Sequence, residues 1–364
     1  MPVDRLVDEA DRLITLGVTE LACRLGIDSG SFARAADNLK RASGLSLSAE
    51  RLRVLVEHEG KLLLSAQREE QLELEFTAGD CTTRQTPGGG VTTRIYLGVD
   101  GVKVPTVTDA EKHKRRANAT ARRKKLPRRR GVRRGALPAV KRGADLAYKE
   151  FKIVTLYDQD QLHRYVRATR KDHRAAGKLI RQASAQLLLR TASEKVAIAD
   201  GADWIWNQID QNVTCLDAKV LDFYHLAEHV HAAKRTVFGE EPAGRTWAEK
   251  LLHTVKHEGY EPFWSQLVQT RSTLRSIAKR GALDGLMHYV AGRRELLDYR
   301  RCGQNNWDIG SGSTESMCKA LTRRIKQRGM RWDADNAEAV MALETLEQMQ
   351  SWPAWRKARE LQLN

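Results

Sequence analysis

Between residue 1 and about residue 75 the apolar positions recur at helical spacing. Residues 19–25 are followed by Gly26-Ile27-Asp28-Ser29, and then by Phe32, Ala35, Ala36 and Leu39. This predicts a short helix, a glycine-containing turn and a second helix. The pattern fits a DNA-reading helix-turn-helix, and it fits a small helical domain without that role equally well. Gly44 closes the unit, and Ser48 predicts an N-cap for a helix carrying Leu52, Leu55 and Val56. The charged continuation at 67–75 reads as a solvated face. Residues 77–90 are rich in breakers and end in Pro87-Gly88-Gly89-Gly90, which marks a boundary.

Past that boundary the period becomes strand-like. Residues 94–100 (RIYLGVD) end in Asp-Gly and are followed by Val102-Lys103-Val104, which predicts two antiparallel strands around a tight turn. Residues 149–157 (KEFKIVTLY) predict a third strand and 175–189 an amphipathic helix. Residues 195–200 (KVAIAD) predict a short buried strand, again stopping at Asp-Gly. A helix with Trp204 and Trp206 follows, one ring for the core and the other for a groove, and 213–221 predict a fifth strand. From 225 to 299 the pattern is helical, broken at 239–242, and Gly310-Ser311-Gly312-Ser313 opens a helix running through Lys326. The order β-β-β-α-β-α-β, long helical insertion, α predicts a mixed α/β sheet covered by helices. The boundaries are a helical N-terminal domain at 1–76, a linker at 77–93, and a core from 94–224 and 302–345 interrupted by a basic insertion at 108–147. A helical insertion at 225–301 and a C-terminal helix at 346–364 complete the division.

Composition narrows the class. The 364 residues are 30% charged and 41% hydrophobic, an ordinary globular balance. No stretch approaches the roughly 20 apolar residues of a membrane helix. The acidic N-terminus lacks a hydrophobic signal region, which predicts a cytoplasmic, nucleoid-associated protein without membrane contact. The five cysteines are scattered without a CxxC pair, arguing against a disulfide framework or a zinc ribbon and for reduced thiols.

Charge is concentrated. Of the net +16, the segment from Lys112 to Arg142 holds fifteen Lys or Arg and no Asp or Glu, so the rest is close to neutral. Such a run repels itself unless a polyanion neutralises it, and counterion release from nucleic acid supplies that binding energy. The alternative is a solvated loop that aids solubility. Arg122, Arg123, Lys124, Lys125, Arg128, Arg129, Arg130, Arg133 and Arg134 form the densest part and are the candidate DNA contacts.

Three carboxylates are candidates for chemistry. Asp100 and Asp200 each terminate an apolar strand and precede a glycine. An aspartate there is held rigidly at the sheet edge where ligands of α/β proteins sit, although Asp-Gly is also ordinary turn chemistry. Glu315 falls in the first turn of the helix after Gly310-Ser311-Gly312-Ser313, a position also suited to helix-dipole capping. Three carboxylates on separate elements can hold two divalent cations about 3.5–4 Å apart, which activate an attacking oxygen and stabilise a leaving 3′ oxygen. Asp222, His225 and His229 would suit zinc or iron better than Mg²⁺. A structural or DNA-contacting place beside the active site is the stronger reading for Asp222 and His225. Arg328, Arg331 and Trp332 either clamp a phosphate and stack a base, or lie past a helix end with the ring covering the core.

These motifs, VDG at 99–101, ADGADWIW at 199–206, LDFYHLAEH at 221–229, GSGSTES at 310–316 and KQRGMRW at 326–332, resemble bacterial insertion-sequence transposases of the ISKra family within the Mutator-like DDE superfamily. The resemblance covers roughly 90–345 and keeps all five motifs in order. It implies a ribonuclease H-like fold, a five-stranded mixed sheet flanked by helices with an all-helical insertion. It further implies Asp100, Asp200 and Glu315 as catalytic, metal-binding residues using Mg²⁺ (or Mn²⁺). Residues 222–225 match the family's (C/D)xxH motif beside the active site. The implied partners are transposon terminal repeats and target DNA, with a homodimer or higher oligomer pairing two ends. The competing readings are a domesticated or inactive DNA-binding regulator and a ribonuclease H-like nuclease.

Overall fold

The computed structural model of the protein describes residues 14–83, 87–125, 136, 137 and 139–362. Its N-terminal helices are α1 (Leu16–Asp28), α2 (Phe32–Ser43) and α3 (Ala49–Arg68). Each starts where a hydroxyl accepts a backbone N–H of the first turn: Thr15 from Val18, Ser31 from Arg34 and Ser48 from Arg51. Gly44 ends α2 with the left-handed φ of 74° that glycine tolerates.

The strand region begins with β1 (Thr82–Thr83) and β2 (Thr92–Pro105). β2 replaces the two short strands expected around Asp100-Gly101. The turn does not form because β3 (Tyr148–Tyr157) pairs antiparallel with β2 continuously from Tyr96 to Pro105, so ladder bonds carry the chain straight through. Between them, α4 (Asp109–Lys125) is a helix that the charge run concealed. It buries no residue, and Asp109 and Glu111 in its first turn with four cations in its last turn complement the helix dipole.

β4 (Arg164–Thr169) hairpins back on β3 and was not expected. Then follow α5 (His173–Gln186), β5 (Glu194–Ala199), α6 (Asp203–Asn212) and β6 (Ala218–Leu221), the last shorter than the segment expected at 213–221. The helical segment contains α7 (Phe223–Phe238), α8 (Pro242–His257), α9 (Tyr260–Thr273), α10 (Ile277–Ala291) and α11 (Tyr299–Gln304). The chain returns through α12 (Gly312–Arg323), α13 (Ala334–Gln348) and α14 (Trp352–Gln362).

The protein is thus mixed α/β. Its sheet runs β4-β3-β2-β5-β6, with β1 as a sixth, two-residue strand beside β2. β2, β3 and β4 are antiparallel neighbours, whereas β5 and β6 join parallel to β2. α5 packs on β3 and β4 and against α6, and α12 packs on β2 and β3. α13 lies between β4 and α3, close enough that the Gly60 Cα of α3 abuts the Ala339 backbone. The helical segment is fastened to the sheet at its C-terminal end. Arg293 donates to the Gly201 carbonyl at 2.5 and 2.8 Å, Tyr299 Oη donates to the Leu221 carbonyl at 2.9 Å, and fully buried Arg94 reaches the carbonyls of Asn305 and Asn306.

Candidate active site

Strand register assembles the site. Val99 pairs with Ala199 in the parallel β2–β5 ladder, and Ala199 pairs with Leu221 in β5–β6. The next residues, Asp100, Asp200 and Asp222, therefore stand at one level on neighbouring strands, with backbones roughly 4.8 Å apart. Asp100 lies within a strand and not at its end, as the continuous β2 requires.

The three aspartates are used differently. Asp222 is fully buried, and its carboxylate accepts from the Tyr224 and His225 N–H groups and from the Ser311 N–H and hydroxyl. It caps α7 and ties that helix to the loop before α12, which leaves it no free lone pair for a cation. Asp100 and Asp200 are half-buried, and each accepts one nearby backbone N–H, from Gly101 and Ala202 respectively.

α12 brings Glu315. Gly98 lets it approach: a Cβ there would overlap Thr314 Oγ1 and lie 2.6 Å from Thr155 Oγ1, and these hydroxyls meet at 3.0 Å. One turn on, the buried Cys318 thiol hydrogen-bonds Asp100, and burial followed by the Asp100 charge pushes that thiol far up. Glu315 precedes Cys318 by three residues on the same helix face. Its carboxylate is turned toward Lys319 Nζ at 3.3 Å and is 43% exposed. Among the described residues, the oxygens of Asp100, Asp200 and Glu315 do not all close to within 4.8 Å of one another. Gly98→Ala should separate α12 from the sheet and cost about 1–3 kcal/mol, read as a lower urea midpoint, because a packed interface has no room for the methyl.

Electrostatics mark Asp200. Burial raises its pKa, and repulsion from Asp100 and Glu150 adds to the rise, while the Ala202 N–H and the nearby His225 oppose it. Glu150 of β3 was absent from the sequence reading. Its carboxylate lies where a Gly101 Cβ would come within 2.5 Å, and Lys152 pairs with it at 2.5 Å. A raised carboxyl pKa means the folded state binds the proton more tightly, so this group removes stability as pH rises above the ordinary carboxylate range. Asp200→Asn should therefore melt higher than wild type at pH 7 without added metal, with the difference vanishing in acid. A lower melting temperature would contradict that sign.

His225 stands near Asp200, with Nδ1 3.8 Å from Glu228. His229 instead stacks on Tyr289 of α10 at 3.7 Å, its pKa lowered by burial and then by His225 and Arg293. Tyr289 also backs Gly201, where a Cβ would strike its ring. Tyr289, Arg293 and Glu150 reach the site from distant sequence, and no local motif announces them; Cys318 comes with Glu315 on α12 but was not singled out. Beside it, a cleft of about 980 Å³ is bounded by Tyr224, Lys256, Arg300, Trp307, Gly310 and Ser313.

The candidate DNA contacts divide. Arg122, Lys124 and Lys125 project from the exposed end of α4, and Arg123 is half-exposed. Arg128, Arg129, Arg130, Arg133 and Arg134 lie outside the described residues. Arg328 is exposed, and Arg331 pairs with Glu111 at 3.1 Å, which together with Lys112–Asp333 at 2.6 Å anchors the base of α4. Of the two readings open for Trp332, base stacking and core covering, its position matches the second and departs from a DNA contact. It is 8% exposed, edge-on to Phe32 at 6.0 Å, and its backbone bonds to Pro105 and Val107, so little of its ring faces solvent. Replacing Arg122, Arg123, Lys124 and Lys125 by Ala should flatten the slope of log K against log salt by up to about 3.6 if each meets one phosphate. An unchanged slope would show that α4 does not touch DNA.

No family model and no curated protein matches the chain. Among solved structures it is similar to a chain of the Drosophila P element transposase strand transfer complex, at 13% identity and a TM-score of 0.26, over 92% of this chain and 79% of that one. An overlay that loose carries no argument. Among the described residues, no helix is long and apolar enough to cross a membrane.

Proposed function

We propose that this chain is a DDE-type DNA transposase with a ribonuclease H-like core, in which Asp100, Asp200 and Glu315 serve metal-dependent DNA cutting and strand transfer. The observation that carries the reading is the pairing of Val99 with Ala199, which sets two aspartates side by side beneath the helix bearing Glu315. The strand order, three antiparallel strands followed by two parallel ones, supports the fold. The ordered motifs from 99 to 332 support the family.

The donor set fits the metal. Carboxylate oxygens are what Mg²⁺ or Mn²⁺ prefer, and a divalent cation offsets both the burial that chiefly raises Asp200 and the Asp100 repulsion that adds to it. When bound, such ions supply an activated attacking oxygen and charge stabilisation at the leaving 3′ oxygen. The chain's own residues do the rest. Asp100 and Asp200 hold negative charge at fixed positions on the sheet, and Asp222 keeps the start of α12 in place through Ser311. Lys319 balances Glu315 across one helical turn. The cations of α4 grip phosphates. The partners are the element's terminal repeats and target DNA, and pairing of two ends calls for a homodimer or higher oligomer.

The test is incubation of the purified full chain with Mg²⁺ and DNA carrying the inverted repeats that flank its gene. Strand-specific nicks at the repeat ends and joined products are expected. Tight binding without cutting in Mg²⁺ or Mn²⁺ would overturn the proposal in favour of a DNA-binding regulator. Cutting of branched DNA or hybrids without joining would favour a nuclease.

A further inference from the structure

We infer that Cys81, Asp158 and His163 form a second metal site, separate from the acidic cluster and suited to a cation of the zinc class. One sulfur, one carboxylate oxygen and one imidazole nitrogen lie within 4.8 Å of one another. They come from three places: Cys81 precedes β1, Asp158 follows β3, and His163 precedes β4.

The β3–β4 turn builds two thirds of the site. The Asp158 N–H donates to the His163 carbonyl at 3.2 Å, the His163 N–H donates to Asp158 Oδ1 at 3.2 Å, and Asp158 Oδ2 sits 2.8 Å from His163 Nδ1. Cys81 is brought in by the segment after α3, with its thiol directed to the Thr77 carbonyl at 3.7 Å. Asp158 is 1% exposed, and among the described residues its ion-pair partner is His163, with no Lys or Arg. A charged carboxylate this buried is costly unless it is paired or coordinates a metal. The His163 side chain is 32% exposed, so the trio is closed on the protein side and open toward solvent, leaving a direction for cation entry and a water ligand.

The donor chemistry selects the ion. Thiolate and imidazole suit Zn²⁺ or Co²⁺, whereas Mg²⁺ favours oxygen alone. Ligand atoms on one tetrahedral zinc stand about 3–4 Å apart, so small side-chain rotations close the trio. A bound ion would staple the segment after α3 to the β3–β4 turn beside the Arg94 cluster, where Gln159 Oε1 accepts from Arg94 and from Thr83. Tyr96 pairs with Tyr157 and Asp158 comes next, so the site lies about five residues along β2 from Asp100.

The test is titration of chelator-stripped full-length protein with Co²⁺, followed by absorption. One Co²⁺ per chain with a thiolate-to-metal charge-transfer band is expected. Cys81→Ser and His163→Ala should each abolish the band with unchanged circular dichroism, and Asp158→Asn, which removes a direct ligand, should weaken binding by more than the roughly tenfold lost with an outer-sphere partner. Cys318→Ser, beside the acidic cluster, should leave the band intact. Absence of a band, its survival in either the Cys81 or the His163 variant, or its loss with Cys318 would overturn the assignment. If Cys81→Ser fails to fold, the partly exposed His163 gives the deciding variant.

Discussion

Asp100→Ala and Asp200→Ala should each lower DNA cutting by roughly 10³-fold or more, the scale of loss when a group stabilising transition-state charge is removed. Circular dichroism should change little, because both side chains are half-buried, each accepts a neighbouring backbone N–H, and Asp100 accepts besides only the Cys318 thiol. DNA binding should persist, since the exposed cations of α4 project from a different element. Glu315→Gln should behave similarly, with binding intact and cutting lost. Asp222→Asn should fail by another route, because its carboxylate holds the α7 and α12 starts together. Undiminished cutting by the Asp100 variant would remove the assignment.

Arg94→Met should be the most destabilising of the single changes considered, at about 3–5 kcal/mol, the range for breaking a buried charge pair by removing one partner. Arg94 is fully buried and bonds Glu194 at 2.5 Å, Gln159 at 2.7 Å, and the carbonyls of Asn306 and Asn305 at 2.7 and 2.9 Å. Truncation takes a donor from four acceptors at once: Glu194 keeps Trp307 and Gln159 keeps Thr83, but the Glu194 charge loses its partner and the two carbonyls lose the guanidinium, which is expensive. Because two of them close the helical segment just before α12, the variant should also lose cutting below its lowered urea midpoint. A shift under about 1 kcal/mol would mean that water replaces the guanidinium.

Much of this was legible in the sequence, and the misses have physical causes. The hydroxyl cap at Ser48 and the helix-ending Gly44 are local chemistry, visible from a few residues, whereas the Ser31 cap was missed. The Asp-Gly pair at 100–101 misled because the dipeptide tolerates a turn without demanding one, and the ten-residue partner β3 decides between the two. β4 escaped because RYVRAT carries two arginines, although the polar run 158–161 before it is a turn signal. α4 hid inside a charge run whose helix signal is dipole complementarity and not an apolar stripe. The level shared by Asp100 and Asp200 depends on strand register, which the sequence hinted at through its two matching strand ends. The places of Glu150, Tyr289 and Arg293 depend on tertiary contacts that no local pattern encodes. Cys81 illustrates the same limit, since its two companions stand 77 and 82 residues later.

The central claim is that Asp100 and Asp200, with Glu315, hold divalent cations. Anomalous diffraction from crystals soaked in Mn²⁺ measures that directly. The account predicts Mn²⁺ peaks touching the Asp100 and Asp200 carboxylates, with Glu315 swung away from Lys319 to join them. Density confined to other residues, or none at saturating Mn²⁺, would contradict it.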